Sequence, residues 1–452
     1  MKATSKYLAS IRGAAALVAA ATLTVSTSTW AQPPGPAGEQ FKVVVVAEGL
    51  KNPWSMAWLP NGDMLVTERG TGDYPGSLRI IRGGKLLPTP VPGVPTVRAQ
   101  GQGGMQEIAV HPNFAQNHFV YLSYAKPRNG TATTCRTPAP ANQPAGTPPC
   151  IEGTTALIRA KLEGDKLVDA KEIFEAKAWN DAPGHFGARI TFDGQGHLFM
   201  SVGDRMAGLF PRTADGAMDP NLEGHPAQNL GSGQGKIIRL NDDGSIPQDN
   251  PFVGRAGALP EIWSYGHRNP QGLQFDAATG TLWETEHGPQ GGDELNVIEK
   301  GKNYGWPVIG YGANYTLGTE IHAARNKEGM EQPKAFFVPS IGISGLMLYT
   351  GDKFPNWKGN IFVGGMAANY RQLVRFSING KVVTNREPLL VREYRIRDVR
   401  QGPDGFVYIA VDNQFPGQPS NIIRLEPNAA SATVPSSAFT PGAVTARSAR
   451  AE

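Results

Sequence analysis

One pattern recurs six times in this chain and restricts its fold more than any other feature. It is an apolar strand, a turn, a second apolar strand and a polar stop. The copies are PWSMAWLPNGDMLVTERG (53–70), GMQEIAVHPNFAQNHFVYLSYA (104–125), GARITFDGQGHLFMSVGD (187–204), PQGLQFDAATGTLWETEHG (270–288), GISGLMLYTGDKFPNWKGNIFVGGM (342–366) and IRDVRQGPDGFVYIAVDN (396–413). Short apolar runs punctuated by Gly, Pro, Asn and Asp are strand and turn signals. Each copy is followed by further strand-forming sequence: 77–86, 155–168, 236–246, 294–305, 373–383 and 421–427. The unit is therefore about four strands, an inner hairpin and then an outer one. Six such units predict an all-β fold, a six-bladed β-propeller of four-stranded antiparallel blades, over residues 40–427. A β-sandwich or β-helix does not require sixfold recurrence. Radial closure leaves only short strand edges and gathers loops from every blade at one end of the axis.

The ends of the chain read differently. Lys2, Lys6 and Arg12 precede an apolar stretch, Gly13 to Val25, too short to span a bilayer comfortably, and small residues follow. That order predicts a signal peptide over 1–31, cleaved after Ala31, and hence a periplasmic or secreted protein. An uncleaved anchor is the alternative. No other segment is suited to crossing a membrane. The leader holds three basic residues and no acid, so the formal +4 of the whole chain falls to about +1 without it. With no basic stripe carrying interleaved aromatics, nucleic acid is not an expected partner. Cys135 and Cys150 flank a Pro/Ala/Thr-rich insertion. In an exported protein they are expected to pair, closing a loop worth about 3 kcal/mol of chain entropy. Residues 428–452 lack a hydrophobic pattern and are expected to be a disordered tail.

The loops that lead into the inner strands carry the chemistry. Gln102 leads into the second unit, His185 into the third, Arg268 and Asn269 into the fourth, Arg395 and Arg397 into the sixth. Any one of these groups alone is best read as a loop tie. Four equivalent positions bearing strong hydrogen-bonding groups predict a polar axial pocket with a basic bias. Such a pocket suits an anionic ligand with carboxylates or phosphates, because the guanidinium fork matches an oxyanion.

GHRNPQGLQF (266–275), ETEHGPQGGDELNVIEKGKNYGWP (284–307), GKIIRLNDDGSIPQDNPF (235–252), HPNF and RIRDV together resemble the soluble, pyrroloquinoline quinone (PQQ)-dependent aldose sugar dehydrogenases of the glucose/sorbosone dehydrogenase family. The resemblance extends from the first repeat to Pro427. It implies oxidation of aldose sugars at the anomeric carbon to lactones, with hydride transfer to PQQ and electrons passed on to an external acceptor. It places His185 as catalytic base and Arg268 near the reactive quinone carbonyl. It gives Gln102, Asn269, Arg395 and Arg397 to the cofactor, Gln102 alternatively to substrate. The carbonyls of Gly288 and Pro289 would hold a Ca²⁺ that grips the quinone, and Glu294 and Tyr304 fall where relatives hold a further Ca²⁺. Oxygen ligands of this kind suit calcium, and the ion would polarise the quinone. For Asp293 and Glu294 a solvated acidic turn is an equal reading.

A neutral imidazole is a suitable proton acceptor for sugar oxidation near neutral pH. His185 read alone is as readily a loop histidine bonding a carbonyl; the resemblance decides for catalysis. Two positions depart from the family pattern. Ala367 stands where some members have a cofactor-contacting lysine, and Phe337 where a stacking tryptophan is expected. Two other classes of function stay open at this level. One is a calcium-dependent propeller lactonase or other hydrolase, which would need carboxylates and Asn around an axial metal. The other is a non-enzymatic propeller that binds sugar or protein.

Overall fold

A computed structural model describes residues 39–71, 74–128, 151–207, 221–315, 318–412 and 420–428. The leader, both cysteines and the tail beyond residue 428 lie outside the described residues.

The described chain forms six four-stranded antiparallel sheets. The six inner strands are Pro53–Trp58, Met105–Val110, Gly187–Phe192, Pro270–Asp276, Ile343–Leu348 and Ile396–Gln401, at the positions the repeats predict. They are equivalent in detail. Five of the six are buried over their first four residues and half-buried beyond. All six pair with the next strand through a register shift near their first residues, as between Gly187 and Ile190 or Ile396 and Asp398. A bulge kinks a strand and re-aims its side chains. Six of them ring one end of the axis, where the loops lead in.

Apolar clusters lie between adjacent blades. Leu65 and Ile80 of the first blade meet Ile108 and Leu122 of the second. Phe199 and Ile237 of the third meet Leu273 and Leu282 of the fourth. Each sheet thus buries both faces against its neighbours, which is why the second strands, such as MLVTE and TLWETE, read as continuous buried runs.

Three strands lie where the repeat does not predict them. The sixth blade takes its outermost strand from the other end of the chain: Phe41–Leu50 pairs with Ser420–Pro427, Phe41 opposite Pro427. This closes the ring without an open radial gap. In the third and fourth blades the outermost strands are Ile262–Tyr265 and Ala335–Phe337. Each lies beyond an intervening segment, not in a hairpin directly after the third strand. Among the described residues no helix is long and apolar enough to cross a membrane.

Below the leading loops the axis is closed by charge. Arg189 lies 2.8 Å from Glu107 and 2.9 Å from Asp398, and Arg400 lies 2.6 Å and 3.0 Å from the same two acids. Arg189 also donates to the carbonyls of Gln271 and Arg397 and stacks 4.0 Å from Trp54. The only acids of the inner strands that face this point are thereby neutralised by arginine.

Candidate active site

In an antiparallel hairpin the start of one strand and the end of the next share an edge. Each blade therefore brings two segments to the rim: the loop before its inner strand and the stop after its second strand. Together they line a cavity of about 650 Å³, within the ~300–1,000 Å³ usual for ligand pockets. Gln102, Arg395 and Arg397 line it, as the sequence predicts, together with Arg69, Trp54 and His287.

The cavity is cationic. Arg69, Arg395 and Arg397 face it against one nearby carboxylate, Asp412, which is 2.5 Å from Arg395 and 3.6 Å from Arg397. Burial, then the neighbouring Arg395, pulls Arg397 down to about 9, with Asp412 opposing. Burial also lowers Arg69. The Nε atoms of Arg69 and Arg397 are buried with no hydrogen-bond partner among the described residues. A buried cationic group with unfilled donors favours an anion.

His185 sits one layer behind the cavity wall, 6% exposed, beside Phe186, which lines it. Its flanking glycines have a steric cause. A Cβ on Gly184 would lie 2.8 Å from Met206 Sδ and 3.0 Å from Gln102, and Gly187 has φ +66° with Gly203 N at 2.8 Å from its notional Cβ. The His185 amide donates to Gln102 Oε1 at 2.9 Å. Nδ1 of the ring is 2.7 Å from Asp204 Oδ1. Asp204 also accepts from the Trp306 indole at 2.7 Å and from the Met206 amide at 2.8 Å. Burial pushes Asp204 upward, but His185, His225 and Arg268 outweigh it and hold the carboxyl below its usual range. An ionised Asp204 only accepts, so Nδ1 carries the proton and Nε2 keeps its lone pair. Burial, then the charge of Arg268, lowers His185 below the ordinary imidazole value. The ring is neutral near pH 7 and suited to take a proton.

Arg268 is also nearly buried and lies over Trp306 at 5.2 Å. Its guanidinium donates to the carbonyls of His287 at 3.0 Å and Gly288 at 2.8 Å, and to Tyr315 Oη at 3.3 Å. Neither His185 nor Arg268 lines the large cavity; Arg268 lines a void of about 20 Å³ next to it, with Glu286, Gly288, Pro289, Glu294 and Tyr304. Asn269 Oδ1 accepts from the Gly187 amide at 3.3 Å, and its Nδ2 is buried without a partner among the described residues. Gly288 O is thus shared with Arg268, while Pro289 O accepts no hydrogen bond among the described residues. The Tyr304 hydroxyl is committed: it donates to Val297 O at 2.6 Å and accepts from Glu299 N at 2.8 Å. Only its carbonyl is left for a metal.

Several site groups escape the sequence reading. Arg69, Asp204 and Asp412 end second strands, where the repeat shows only a polar stop. A further acidic pocket lies beside Glu294. Asn296 Nδ2 reaches Glu284 at 3.0 Å, Glu286 at 3.4 Å and Glu294 at 3.2 Å. Burial raises Glu284 and Glu294 well above the carboxylate range. Ligand atoms of His267, Glu284 and Glu286 lie within 4.8 Å of one another. The alternation in ETE is its sequence signal, since residues two apart share a strand face. The two departures have places too. Phe337 is buried against Phe376 at 5.9 Å, turned into the core and not toward the cavity. Ala367 lines a second cavity, of about 790 Å³, with His287, Pro289 and Tyr370.

Comparison with known proteins identifies the family. The pattern of the Glucose / Sorbosone dehydrogenase family matches residues 50–418. The aldose sugar dehydrogenase YliI of Escherichia coli (strain K12) is 38% identical over 394 residues, 86% of this chain and 93% of that protein. The solved apo-form of the soluble aldose sugar dehydrogenase of Escherichia coli superposes with a TM-score of 0.71 at 35% identity, over 86% of this chain and 100% of that one. The PQQ-bound aldose sugar dehydrogenase of Streptomyces coelicolor does so with a TM-score of 0.62 at 26% identity, over 86% and 99%. This six-bladed propeller belongs to the glucose/sorbosone dehydrogenase family.

Proposed function

We propose that this protein oxidises aldose sugars at the anomeric carbon to lactones, with PQQ as the acceptor of hydride. The observation that carries the reading is a neutral, carboxylate-oriented His185 buried behind a cavity lined by three arginines.

The residues fit the quinone. Arg69, Arg395 and Arg397 offer three guanidiniums for its three carboxylates, and Asn269 and Arg397 hold buried donors in reserve. Gln102 lines the cavity with its Oε1 already spent on His185, leaving its amide N–H groups for ligand. Gly288 and Pro289 carbonyls offer hard oxygens for Ca²⁺, with Glu294 on the same small void. A second calcium at Glu294 would use the Tyr304 carbonyl.

PQQ supplies a two-electron acceptor, and Ca²⁺ the Lewis acid that polarises it. The chain supplies the rest. Nε2 of His185 takes the proton of the C1 hydroxyl as hydride leaves C1, and the C1–O bond becomes the lactone carbonyl. Asp204 holds the Nδ1–H tautomer and stabilises the imidazolium that forms. Burial, with the charge of Arg268, keeps the imidazole neutral beforehand, and Arg268 stabilises negative charge developing nearby. Electrons then pass to an external acceptor. The leader, read as a signal peptide, supports export to the periplasm or beyond. The lactonase alternative is disfavoured because Glu107 and Asp398, the acids at the axis, are already paired with Arg189 and Arg400.

The test uses metal-stripped protein given Ca²⁺ and PQQ, with dye reduction followed on addition of a panel of aldoses. Reduction that requires all three components supports the reading. Absence of reduction, with no quinone bound by absorbance, overturns it.

A further inference from the structure

The stop after the third blade's second strand reads Gly203-Asp204-Arg205. Asp204 has its role opposite His185. Arg205 has none in that chemistry, yet it is wholly buried. Its hydrogen bonds run to backbone carbonyls. Nη1 donates to Gly184 O, and Nη2 donates to Ala182 O at 2.9 Å. The guanidinium stacks 3.5 Å from the Phe186 ring. Its backbone N–H donates to His185 O at 3.2 Å.

These contacts lie on both sides of one α-carbon. The peptide before His185 is held by Arg205 at its carbonyl and by Gln102 at its N–H. The peptide after it is held by Arg205 at the His185 carbonyl. The orientations of those two peptides are φ and ψ of His185. The φ is +54°, in the left-handed region that few residues other than glycine occupy. Arg205 is itself left-handed, at +56°, and its carbonyl is pinned by Asn180 Nδ2 at 2.7 Å. Arg98, also buried, extends the grip upstream: it donates to Ala182 O and Asp181 O, both at 2.8 Å.

We infer that Arg205, backed by Arg98, is a positioning residue that fixes the backbone on both sides of His185 and so aims its Nε2. Arginine suits the task because its planar fork spans two carbonyls while its face stacks on an aromatic ring. Lysine brings one point charge and neither the fork nor the stacking face. The role rests on the reading of His185 as base, whereas the geometry of the grip does not.

Two variants, R205M and R205K, test it. The first readout needs no cofactor: the rate at which diethyl pyrocarbonate modifies His185, followed by peptide mass spectrometry from roughly pH 5 to pH 8. The charged and titratable groups around the ring are Asp204, Arg205, Arg268 and His287. Loss of the Arg205 charge removes a cation from that set, so R205M titrates at higher pH than the wild type. The second readout is kcat and KM of the PQQ-loaded enzyme. For R205M kcat falls about ten-fold or more with KM within about two-fold, and R205K recovers part of the loss. Thermal unfolding confirms that each variant folds. A folded R205M with wild-type titration and kcat overturns the inference. So does an R205K with wild-type kcat, because lysine has neither the fork nor the stacking face. Should R205M fail to fold, R205K alone decides: wild-type titration and kcat there overturn the role. Absence of turnover in the wild type would defeat the dehydrogenase reading and leave the modification readout to decide the clamp.

Discussion

Nδ1 of His185 lies 2.7 Å from Oδ1 of Asp204, and the other oxygen of the same carboxylate accepts from the Trp306 indole at 2.7 Å. One carboxylate therefore sets both the tautomer of the imidazole and its tilt. Asn at this position keeps the shape but presents an amide that can donate to Nδ1 and so moves the proton to Nε2. D204N is expected to lower kcat by about 10²–10⁴, the range for a displaced general base, with PQQ affinity nearly unchanged. The pH profile carries the sign. Asp204 raises the His185 pKa, so its neutralisation moves the acid limb of kcat to lower pH. Steady-state kinetics across pH, with a quinone titration alongside, measures both. An unchanged kcat would remove Asp204 from the mechanism.

Three arginines face one cavity, and among the described residues only Asp412 opposes them. R69Q, R395Q and R397Q are each expected to weaken PQQ binding. A charge-assisted hydrogen bond contributes about 1.5–3 kcal/mol, so each loss is roughly 10- to 100-fold in Kd. R397Q is expected to cost most, because that guanidinium is the more buried of the pair at Asp412 and also donates to Gln271 at 3.2 Å. Absorbance titration of the quinone reads the effect. Equal affinity in R69Q would place that residue outside the cofactor's reach.

The hairpins were readable because each needs only local sequence: apolar runs, turn residues and a stop. The loops leading into them exposed Gln102, His185, Arg268, Asn269, Arg395 and Arg397 by equivalence. What stayed hidden depends on pairing across the chain. Phe41–Leu50 finds its partner at Ser420–Pro427, and no local pattern joins two segments so far apart. Ile262–Tyr265 and Ala335–Phe337 are short, and long segments separate them from the strands they pair with. Arg69, Asp204 and Asp412 were visible only as the ends of strands. Their place at the site follows from antiparallel geometry, which brings the end of the second strand back to the start of the first. Phe337 stands near the expected stacking position in sequence, but strand alternation turns it into the core against Phe376.

Arg189 joins the inner strands of the second, third and sixth blades through Glu107 and Asp398. It also supports the carbonyl of Arg397, a cavity residue. R189M leaves two buried carboxylates with only Arg400 between them. Breaking one member out of a buried ionic network costs about 3–5 kcal/mol. The variant is expected to lose that much in denaturant unfolding. Its PQQ affinity is expected to fall as the backbone under Arg397 loosens. A variant as stable as the wild type would mean that Arg400 alone neutralises both acids.

His322 gives a pH dependence whose sign is fixed by burial. Burial lowers its pKa from 6.5 to about 4, against the pull of its bond to Pro307 O at 2.8 Å. In the folded protein the ring stays neutral between those values, while in the unfolded chain it takes up a proton. The unfolded state then binds more protons, so stability falls as pH falls. The contribution is complete above the unfolded value near 6.5, declines below it, and levels off near 4. H322Q removes the titration and keeps a polar group that can reach Pro307 O. The stability of wild type minus that of H322Q is expected to fall by about 1.4 kcal/mol for each pH unit between roughly 6.5 and 4. Comparing the two proteins cancels the opposing contributions of Glu284, Glu294 and Asp293, whose raised pKa values favour the fold as pH drops. Urea unfolding at several pH values measures the difference. A difference that does not vary with pH would show that His322 takes up its proton in the fold as readily as in the open chain.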